Sequence, residues 1–253
     1  MRFRRRPPDE VTQEWPQGPP EAEAPPRRRG FLRRAAGLAL KAFVAYYALC
    51  VVLLVVYRFA WPPVTAVQLQ RRVEAWAAGR EYTVQRPHAR LGAMSPHVAH
   101  AVVAAEDGRF WTHWGFDLVE MRNARRDIAG GGRMRGASTI PQQLMKNLFG
   151  CACRNPLLGG VRKLFDWTLT PVAELVLGRR RILELYLNSV EWGDGVFGVE
   201  AAARHHYHRS ARELTRSQAA GLAALLPNPR RRTTRNTGPY RREILRRMTR
   251  RGW

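Results

Sequence analysis

Residues 35–57 form an apolar run of 23 residues in which Lys41 carries the single charge. At about 1.5 Å per residue, a helix of this length covers the ~30 Å hydrocarbon core of a bilayer. Lys41 lies near the arginine-rich end of the run, where its ammonium group can reach the lipid headgroups. Core helices of soluble proteins seldom run this long, so the sequence predicts one membrane-spanning helix.

Arginines flank the apolar run unevenly, which sets its predicted orientation. Five lie in the fifteen residues before the run and three in the fifteen after it. Because segments on the cytoplasmic side carry the excess of positive charge, the N-terminus is predicted to be cytoplasmic and the body of the chain to lie outside. The string RRGFLR at 28–33 is also similar to a twin-arginine export signal, but no small-x-small cleavage site follows the run. This favours an uncleaved anchor.

The chain is strongly basic, with 43 Lys and Arg against 20 Asp and Glu and a net charge of +23. Such a surplus indicates polyanionic partners: nucleic acid, anionic lipid or a phosphorylated substrate. A domain exported and tethered to a bilayer does not meet chromosomal DNA, so we expect anionic membrane lipids or a phosphate-bearing membrane substrate, and no nucleic acid.

Three cysteines without a Cys-x-x-Cys pair exclude a disulfide scaffold and disfavour structural zinc.

Composition divides the chain into four predicted segments. Residues 1–34 are rich in Pro and Arg and form a disordered basic cytoplasmic tail, followed by the transmembrane helix at 35–57. A connector occupies 58–89. The domain at 90–253 shows helical periodicity nearly throughout and no convincing alternation, so the predicted fold class is mainly α.

The first motif, AVVAAEDGRFWTHWGFD at 101–117, joins a small apolar run to an acid, a ring and an imidazole. If one helix carries the whole motif, Glu106, Phe110 and His113 follow i, i+4, i+7 spacing and share a face. Apolar neighbours would then desolvate Glu106, raise its pKa and make it a general base for a hydroxyl proton. The alternative is a helix-terminal ion pair with His113 as an ordinary core residue.

The second motif, GGGRMRGASTIPQQLMKNLFG, runs from a glycine-rich cationic loop into a helix. Thr139 and Gln142 have the spacing of a capping box, which predicts a helix start at Thr139. Lys146 lies one turn after Gln142. Asn147 lies one turn after Gln143, so a polar, cationic stripe adjoins a helix N-terminus and suits an anion. A solvated helix face is the alternative.

The third motif, VRKLFDWTLTPVAE, places Arg162 and Lys163 one turn before Asp166, with Glu174 two turns further on. It predicts either a phosphate-binding pair beside an acid or an i, i+4 salt bridge.

The fourth motif, YLNSVEWGDGVFGVEAAA, contains a literal G-x-G-x-x-G. A dinucleotide site needs a strand before these glycines, whereas RRILELYLN is typical of a helix, so no organic cofactor is predicted. The glycines are expected to build a loop under a bound chain.

Behind an N-terminal span and in this order, the four motifs resemble those of the monofunctional peptidoglycan glycosyltransferases, whose catalytic domain is shared with class A penicillin-binding proteins. The likeness covers roughly 90–250. Its motifs E-D-x-x-F-x-x-H-x-G, G-[GA]-S-T-I-x-Q-Q-x-x-K-N and R-K-x-x-E stand here as EDGRFWTHWG, GASTIPQQLMKN and RKLFD, and ILELYLN with GDGVFGVEAA completes the set. No transpeptidase half is expected.

The resemblance implies a lysozyme-like, mainly helical fold with a small membrane-touching lobe. It implies that the chain polymerises lipid II: the GlcNAc 4-hydroxyl of the acceptor attacks C1 of the donor MurNAc, inverts the anomeric centre and expels undecaprenyl diphosphate. The implied partners are lipid II, the growing glycan strand and proteins of cell-wall synthesis or division. The implied location is the inner (cytoplasmic) membrane, crossed once, with the catalytic domain in the periplasm.

The resemblance also assigns roles by position. Glu106 matches the catalytic base, and Asp166 stands where the family has its second essential glutamate, with a side chain one methylene shorter. The residues that match the donor site are Ser138, Gln142, Gln143, Lys146, Asn147, Arg162 and, more loosely, Arg154. Phe110, His113, Thr139 and Lys163 join the predicted substrate-binding set from their places in the motifs. A divalent cation, Mg²⁺ or Mn²⁺, often assists the diphosphate in this family, and Asp166 is its candidate ligand.

Two other functions remain open at this point. A lysozyme-like glycan hydrolase needs a general acid and a positioned water molecule, but no cationic site for a lipid diphosphate. Lys146, Arg154 and Arg162 in one cleft would therefore argue against a hydrolase. A weakly active or non-catalytic membrane scaffold of the same fold is kept open by the shorter acid at 166.

Overall fold

The computed structural model of this protein describes residues 28–131, 138–150 and 156–253. Over these ranges the chain is mainly helical, as predicted, with two short strands. It divides into two compact units, of which the first ends at Ala45 and the second is Tyr46–Trp253.

The helices are, in chain order, α1 (Arg28–Phe59), α2 (Ala66–Ala77), α3 (Pro96–Glu106), α4 (Leu118–Ala129), α5 (Ile140–Phe149), α6 (Pro156–Leu177), α7 (Arg179–Ser189), α8 (Val199–Tyr207), α9 (Arg216–Ala223) and α10 (Gly238–Arg250). The strands are β1 (Glu191–Gly193) and β2 (Val196–Phe197), and short 3-10 helices cover Leu91–Ala93 and Ala211–Glu213.

The described part of the first unit is the N-terminal portion of α1. Within α1, Arg33–Phe59 is long and apolar enough to cross a membrane, in agreement with the predicted span. Large apolar side chains such as Leu38 and Leu40 are more than 60% exposed, which a helix in the core of a soluble protein would not tolerate. An apolar solvent is the environment that suits this helix.

From Tyr46 onward α1 belongs to the second unit and contributes to its core. Cys50, Leu54 and Tyr57 follow i, i+4, i+7 spacing and are buried. The Tyr57 ring stacks on Phe149 at a centroid distance of 6.3 Å. The guanidinium of Arg181 donates hydrogen bonds to the carbonyls at the end of α1. Cys50 is therefore packed against protein.

α5 lies at the centre of the second unit and packs against α6, α7 and α2. Its capping box is formed as predicted: the Thr139 amide donates to Gln142 Oε1 at 3.1 Å, and the Thr139 hydroxyl accepts from the Gln142 amide. Ile140 and Leu144 have no exposed surface, and burying such side chains contributes about 1.5–3 kcal/mol each. This burial fixes the opposite, partly exposed face of α5, which carries the site.

α3 consists mostly of small apolar residues and packs against α9 and α10. Pro96 occupies the first turn, where its missing N–H costs nothing. Ala101 on α3 and Ile244 and Met248 on α10 are fully buried, so the two helices approach closely. α3 ends at Glu106.

The fourth motif forms a β-hairpin that follows α7, with Gly193 at the end of β1, Gly195 in the turn and Gly198 at the start of α8. β1 and β2 are antiparallel, with Glu191 opposite Phe197 and Gly193 opposite Val196. Gly195 has φ +74°, and a Cβ there would lie 2.6 Å from the Thr83 carbonyl oxygen. A helix, α7, precedes these glycines, as the sequence predicted. Strands of two and three residues are too short to show the alternation that would have predicted them.

Candidate active site

Glu106 is the last residue of α3, and the predicted continuous helix through His113 is wrong. Asp107 leaves the helical region at φ −152° and ψ 74°, and turns follow. Glu106, Phe110 and His113 therefore share no helix face. Phe110 is instead fully buried in the core, and the His113 side chain is buried beside Asp107.

Asp107 explains why the helix stops and is a residue that sequence reasoning missed. Its carboxylate lies 2.9 Å from His113 Nε2 and accepts a hydrogen bond, also at 2.9 Å, from the amide of Ile140 in the first turn of α5. The residue after the predicted base thus ties the end of α3 to the start of α5. The two helices that carry the site are connected through this one side chain.

Asp107, His113 and Asp117 place ligand atoms within 4.8 Å of one another, a spacing that a metal ion can use. Their contacts already account for the cluster. Asp117 accepts hydrogen bonds from the first amides of α4 as its N-cap and forms an ion pair with Arg109 at 3.2 Å. We interpret the cluster as a structural junction between the loop and the starts of α4 and α5.

A chain of two hydrogen bonds leads to the Glu106 carboxylate. Gln143 Nε2 donates to Glu106 Oε2 at 2.9 Å, and the Tyr186 hydroxyl lies 2.9 Å from Gln143 Oε1. An amide oxygen only accepts, so the phenol donates and the amide nitrogen faces Glu106. Tyr186 is fully buried. It belongs to the motif ILELYLN, which was the only sign of it in the sequence.

The charge state of Glu106 is set by opposing effects. Burial of the carboxyl group raises its pKa most strongly. The hydrogen bond from Gln143 and the cations Lys146 and Arg232 lower the pKa, and Asp107 raises it. A carboxylate with a raised pKa and one fixed hydrogen bond is suited to accept a proton.

The charge of Lys146 interacts with two carboxylates, Glu106 on α3 and Asp166 on α6. Burial and the neighbouring Arg162 lower the pKa of Lys146, whereas Asp166 and Glu106 raise it. Arg162 forms an ion pair with Asp166 one turn along α6, which is the salt bridge that the sequence left open. The charges of Glu106, Lys146, Arg162 and Asp166 thus act on one another.

Burial also raises the pKa of Asp166, to about 6, against the opposing charges of Arg162 and Lys146. One carboxylate oxygen of Asp166 takes the Arg162 contact. The other, Oδ1, is buried and has no hydrogen-bond partner among the described residues. An unpaired buried carboxylate oxygen is costly and is a suitable ligand for a hard cation.

The remaining predicted residues on α5 and in the two positions before it differ in their surroundings. Thr139 and Gln142 are buried and engaged in the capping box, and the Thr139 hydroxyl also donates to the Gly115 carbonyl at 2.6 Å. Ser138 is exposed, and its backbone carbonyl accepts a hydrogen bond from the side-chain Nε2 of Gln143 at 3.4 Å. Asn147 is buried. Thr139 and Gln142 therefore hold the end of the helix that presents Gln143.

Lys163 and Arg154 were also predicted to bind substrate. The Lys163 ammonium sits 5.6 Å from the ring centroid of Trp167 on an exposed face of α6. Arg154 lies outside the described residues.

A polar cavity of about 620 Å³ opens beside Glu106. It is lined by the end of α3, by Ser138 and Thr139, and by arginines of α10 such as Arg247 and Arg250. A hydroxyl group bound in this cavity can reach the carboxylate of Glu106.

Comparison with known proteins gives consistent matches. The family model described as "Transglycosylase" matches residues 73–250. A "Biosynthetic peptidoglycan transglycosylase" from Pseudomonas fluorescens (strain Pf0-1) is 46% identical over 202 residues, which cover 80% of this chain and 81% of the relative. A protein with the same description from Ectopseudomonas mendocina (strain ymp) is 45% identical over 179 residues, covering 71% of this chain and 72% of the relative.

Proposed function

Because this chain belongs to the transglycosylase family and is a peptidoglycan transglycosylase, we propose that it polymerises glycan strands from lipid II by inverting glycosyl transfer. The observation that carries the proposal is the hydrogen-bonded carboxylate of Glu106 beside Lys146, whose charge also acts on Asp166. This pairs a desolvated base with the cations that an anionic leaving group needs.

Glu106 is the proposed general base. Its carboxylate removes the proton from the GlcNAc 4-hydroxyl of the acceptor while that oxygen attacks C1 of the donor MurNAc. The new glycosidic bond forms on the face opposite the diphosphate, and the bond from C1 to the diphosphate oxygen breaks. Gln143 keeps the carboxylate directed at the hydroxyl.

Lys146 and Arg162 are proposed to bind the diphosphate as its charge develops. Their positive charges lie in a buried site, where electrostatic stabilisation exceeds that in water. A clamp of this kind has no use in a hydrolase that cleaves finished glycan. Arg154 is proposed as a further phosphate contact by its position in the motif.

Asp166 is the proposed protein ligand for Mg²⁺ or Mn²⁺. Its unpaired buried Oδ1 fits the pattern in which Mg²⁺ binds through one or two carboxylates together with substrate phosphates. When bound, the ion neutralises charge on the leaving diphosphate.

The proposed location is the inner (cytoplasmic) membrane, with α1 as the single span and the catalytic domain in the periplasm. The arginine excess before the span and its apolar length support this orientation. Anionic lipids and proteins of cell-wall synthesis or division are proposed partners at that surface.

The test is the incubation of the detergent-solubilised full chain with purified lipid II. We expect linear glycan and released undecaprenyl diphosphate, and we expect Asp166→Glu to retain or raise the rate because the longer side chain restores the reach of the family's glutamate. Cleavage of finished glycan with lipid II untouched would instead identify a hydrolase. No reaction with either substrate would identify a scaffold.

A further inference from the structure

The last turn of α3, which ends in Glu106, is bound by side chains from the C-terminal segment of the chain. The final carbonyls of any helix lack partners within the helix. Three side chains donate hydrogen bonds in this region: Tyr240 Oη to the Ala105 carbonyl at 3.1 Å, Arg247 Nη1 to the Ala104 carbonyl at 3.3 Å, and Arg251 Nη2 to the Gly108 carbonyl at 3.1 Å. The acceptors lie on both sides of Glu106.

α10 is itself firmly held, so these bonds join two fixed elements. Ile244 and Met248 bury the apolar face of α10 with no exposed surface. The Trp253 ring stacks on His100 of α3 at a centroid distance of 4.7 Å. Arg247 is oriented by an ion pair with Glu243, one turn earlier, at 3.1 Å. A side chain on such a rigid support can position its acceptor accurately.

Tyr240 also connects the turn to a cation near Glu106. The guanidinium of Arg232 lies 5.3 Å from the Tyr240 ring centroid and donates to the Ala224 carbonyl at 2.8 Å. Lys146 on α5 and Arg232 are the cations whose charges lower the pKa of Glu106, Asp107 opposes them, and Gln143 supplies a hydrogen bond. Arg232 and Tyr240 thus act on the same carboxylate from the C-terminal side.

We propose that α10 is a positioning element for Glu106, in which Tyr240, Arg247 and Arg251 hold the last turn of α3 in the orientation that the reaction requires. The proposal rests on the proposed role of Glu106 as the base. All three side chains line the cavity beside Glu106, and the proposal assigns them no contact with the reacting atoms. They act by fixing the backbone that carries the carboxylate, since a displacement of about 1 Å can cost about a hundredfold in rate.

The test compares the double variant Tyr240→Phe/Arg247→Gln with the matched control Arg246→Ala in the full chain. Arg246 lies on the same helix, has a largely exposed side chain and forms an ion pair with Glu243. We expect the double variant to lose about tenfold in kcat per folded molecule, because the orientation of the base is lost. Hydrogen exchange of the amides at 104–107 should accelerate in the double variant and not in the control.

Two further variants separate positioning from general damage. Arg247→Lys in the Tyr240→Phe background keeps a long, positively charged donor and should recover part of the kcat that the double variant loses. Arg232→Gln removes a cation that favours the ionised form of Glu106, so the acidic limb of the pH–rate profile should move to higher pH.

Equal kcat per folded molecule in the double variant and in Arg246→Ala would overturn the proposal, whatever the exchange rates. If the unmodified chain fails to consume lipid II, the proposed function fails instead. In that case unchanged exchange at 104–107 would still show that α10 does not hold the turn.

Discussion

Tyr186 determines which side of the Gln143 amide faces Glu106. The phenol donates to the amide oxygen, so the amide nitrogen is left to donate to the carboxylate. With the amide reversed, its oxygen would face a carboxylate and repel it. One buried hydroxyl therefore supports the orientation of the proposed base without touching substrate.

Tyr186→Phe should lower kcat about tenfold, because the loss of one buried hydrogen bond costs about 1–3 kcal/mol and frees the amide to reverse. The KM for lipid II should change little. Steady-state kinetics of glycan formation provide the measurement. Tyr207→Phe is the matched control, since the Tyr207 hydroxyl is buried and has no hydrogen-bond partner in the described part of the chain. Equal rates in the two variants would contradict the role assigned to Tyr186.

Residue types in the motifs could be predicted from sequence, but several of their partners could not. Glu106, Gln143 and Lys146 were named as site residues because the motifs that contain them resemble those of the family. Asp107 and Tyr186 were missed because their partners lie 33 and 43 residues away along the chain. Only the folded chain brings these atoms together.

The loop at Gly115 forms hydrogen bonds with residues of both α6 and the start of α5 and so links these two elements. Its amide donates to Glu174 Oε1 at 3.1 Å, and its carbonyl accepts from the Thr139 hydroxyl at the start of α5. The backbone there has φ +66°, and a Cβ would lie 2.8 Å from Thr170 Cγ2. The position therefore requires both a left-handed backbone and the absence of a side chain.

Gly115→Ala should lower the free energy of unfolding by about 2–4 kcal/mol, of which about 1–2 is the left-handed backbone and the rest the contact with Thr170. Gly79→Ala is the control, since Gly79 has φ +61° with nothing within 4 Å of its Cβ position. It should cost only the backbone part. Thermal unfolding of both variants measures the difference, and equal losses would show that the packing around Gly115 is not tight.

Structural features that depend on neighbouring residues in the sequence were predicted better than features that depend on contacts between distant residues. The capping box of α5 is contained in four residues, and the apolar run of α1 in its composition. The end of α3 could not be predicted, because Asp107 leaves the helix to bind α5. The first motif consequently appeared as one long helix face, whereas Phe110 is a core residue.

At the scale of the whole molecule, the charge and the apolar run support one arrangement. The net charge of +23 suits a surface rich in anionic lipid, and the arginines before the run favour a cytoplasmic N-terminus. The apolar helix could be predicted from composition because its length and apolar character require no knowledge of tertiary contacts, whereas the orientation stays a prediction.

The orientation predicts the behaviour of reporter fusions in a Gram-negative host. Alkaline phosphatase, which folds only outside the cytoplasm, should be active when fused after Trp253 and inactive when fused after Arg27 without the span. A cytoplasmic fluorescent reporter after Trp253 should remain dark. The reverse pattern would place the catalytic domain on the other side of the membrane.

The central claim, that the Glu106 carboxylate is the base of the polymerase, is tested most directly by lipid II turnover in Glu106→Gln. The amide keeps the size of the side chain but cannot accept the proton, so we predict that turnover is abolished while lipid II binding and the melting temperature are retained. In the unmodified chain the rate should fall as the pH drops through the raised pKa of Glu106. Turnover by Glu106→Gln at the unmodified rate would contradict the account.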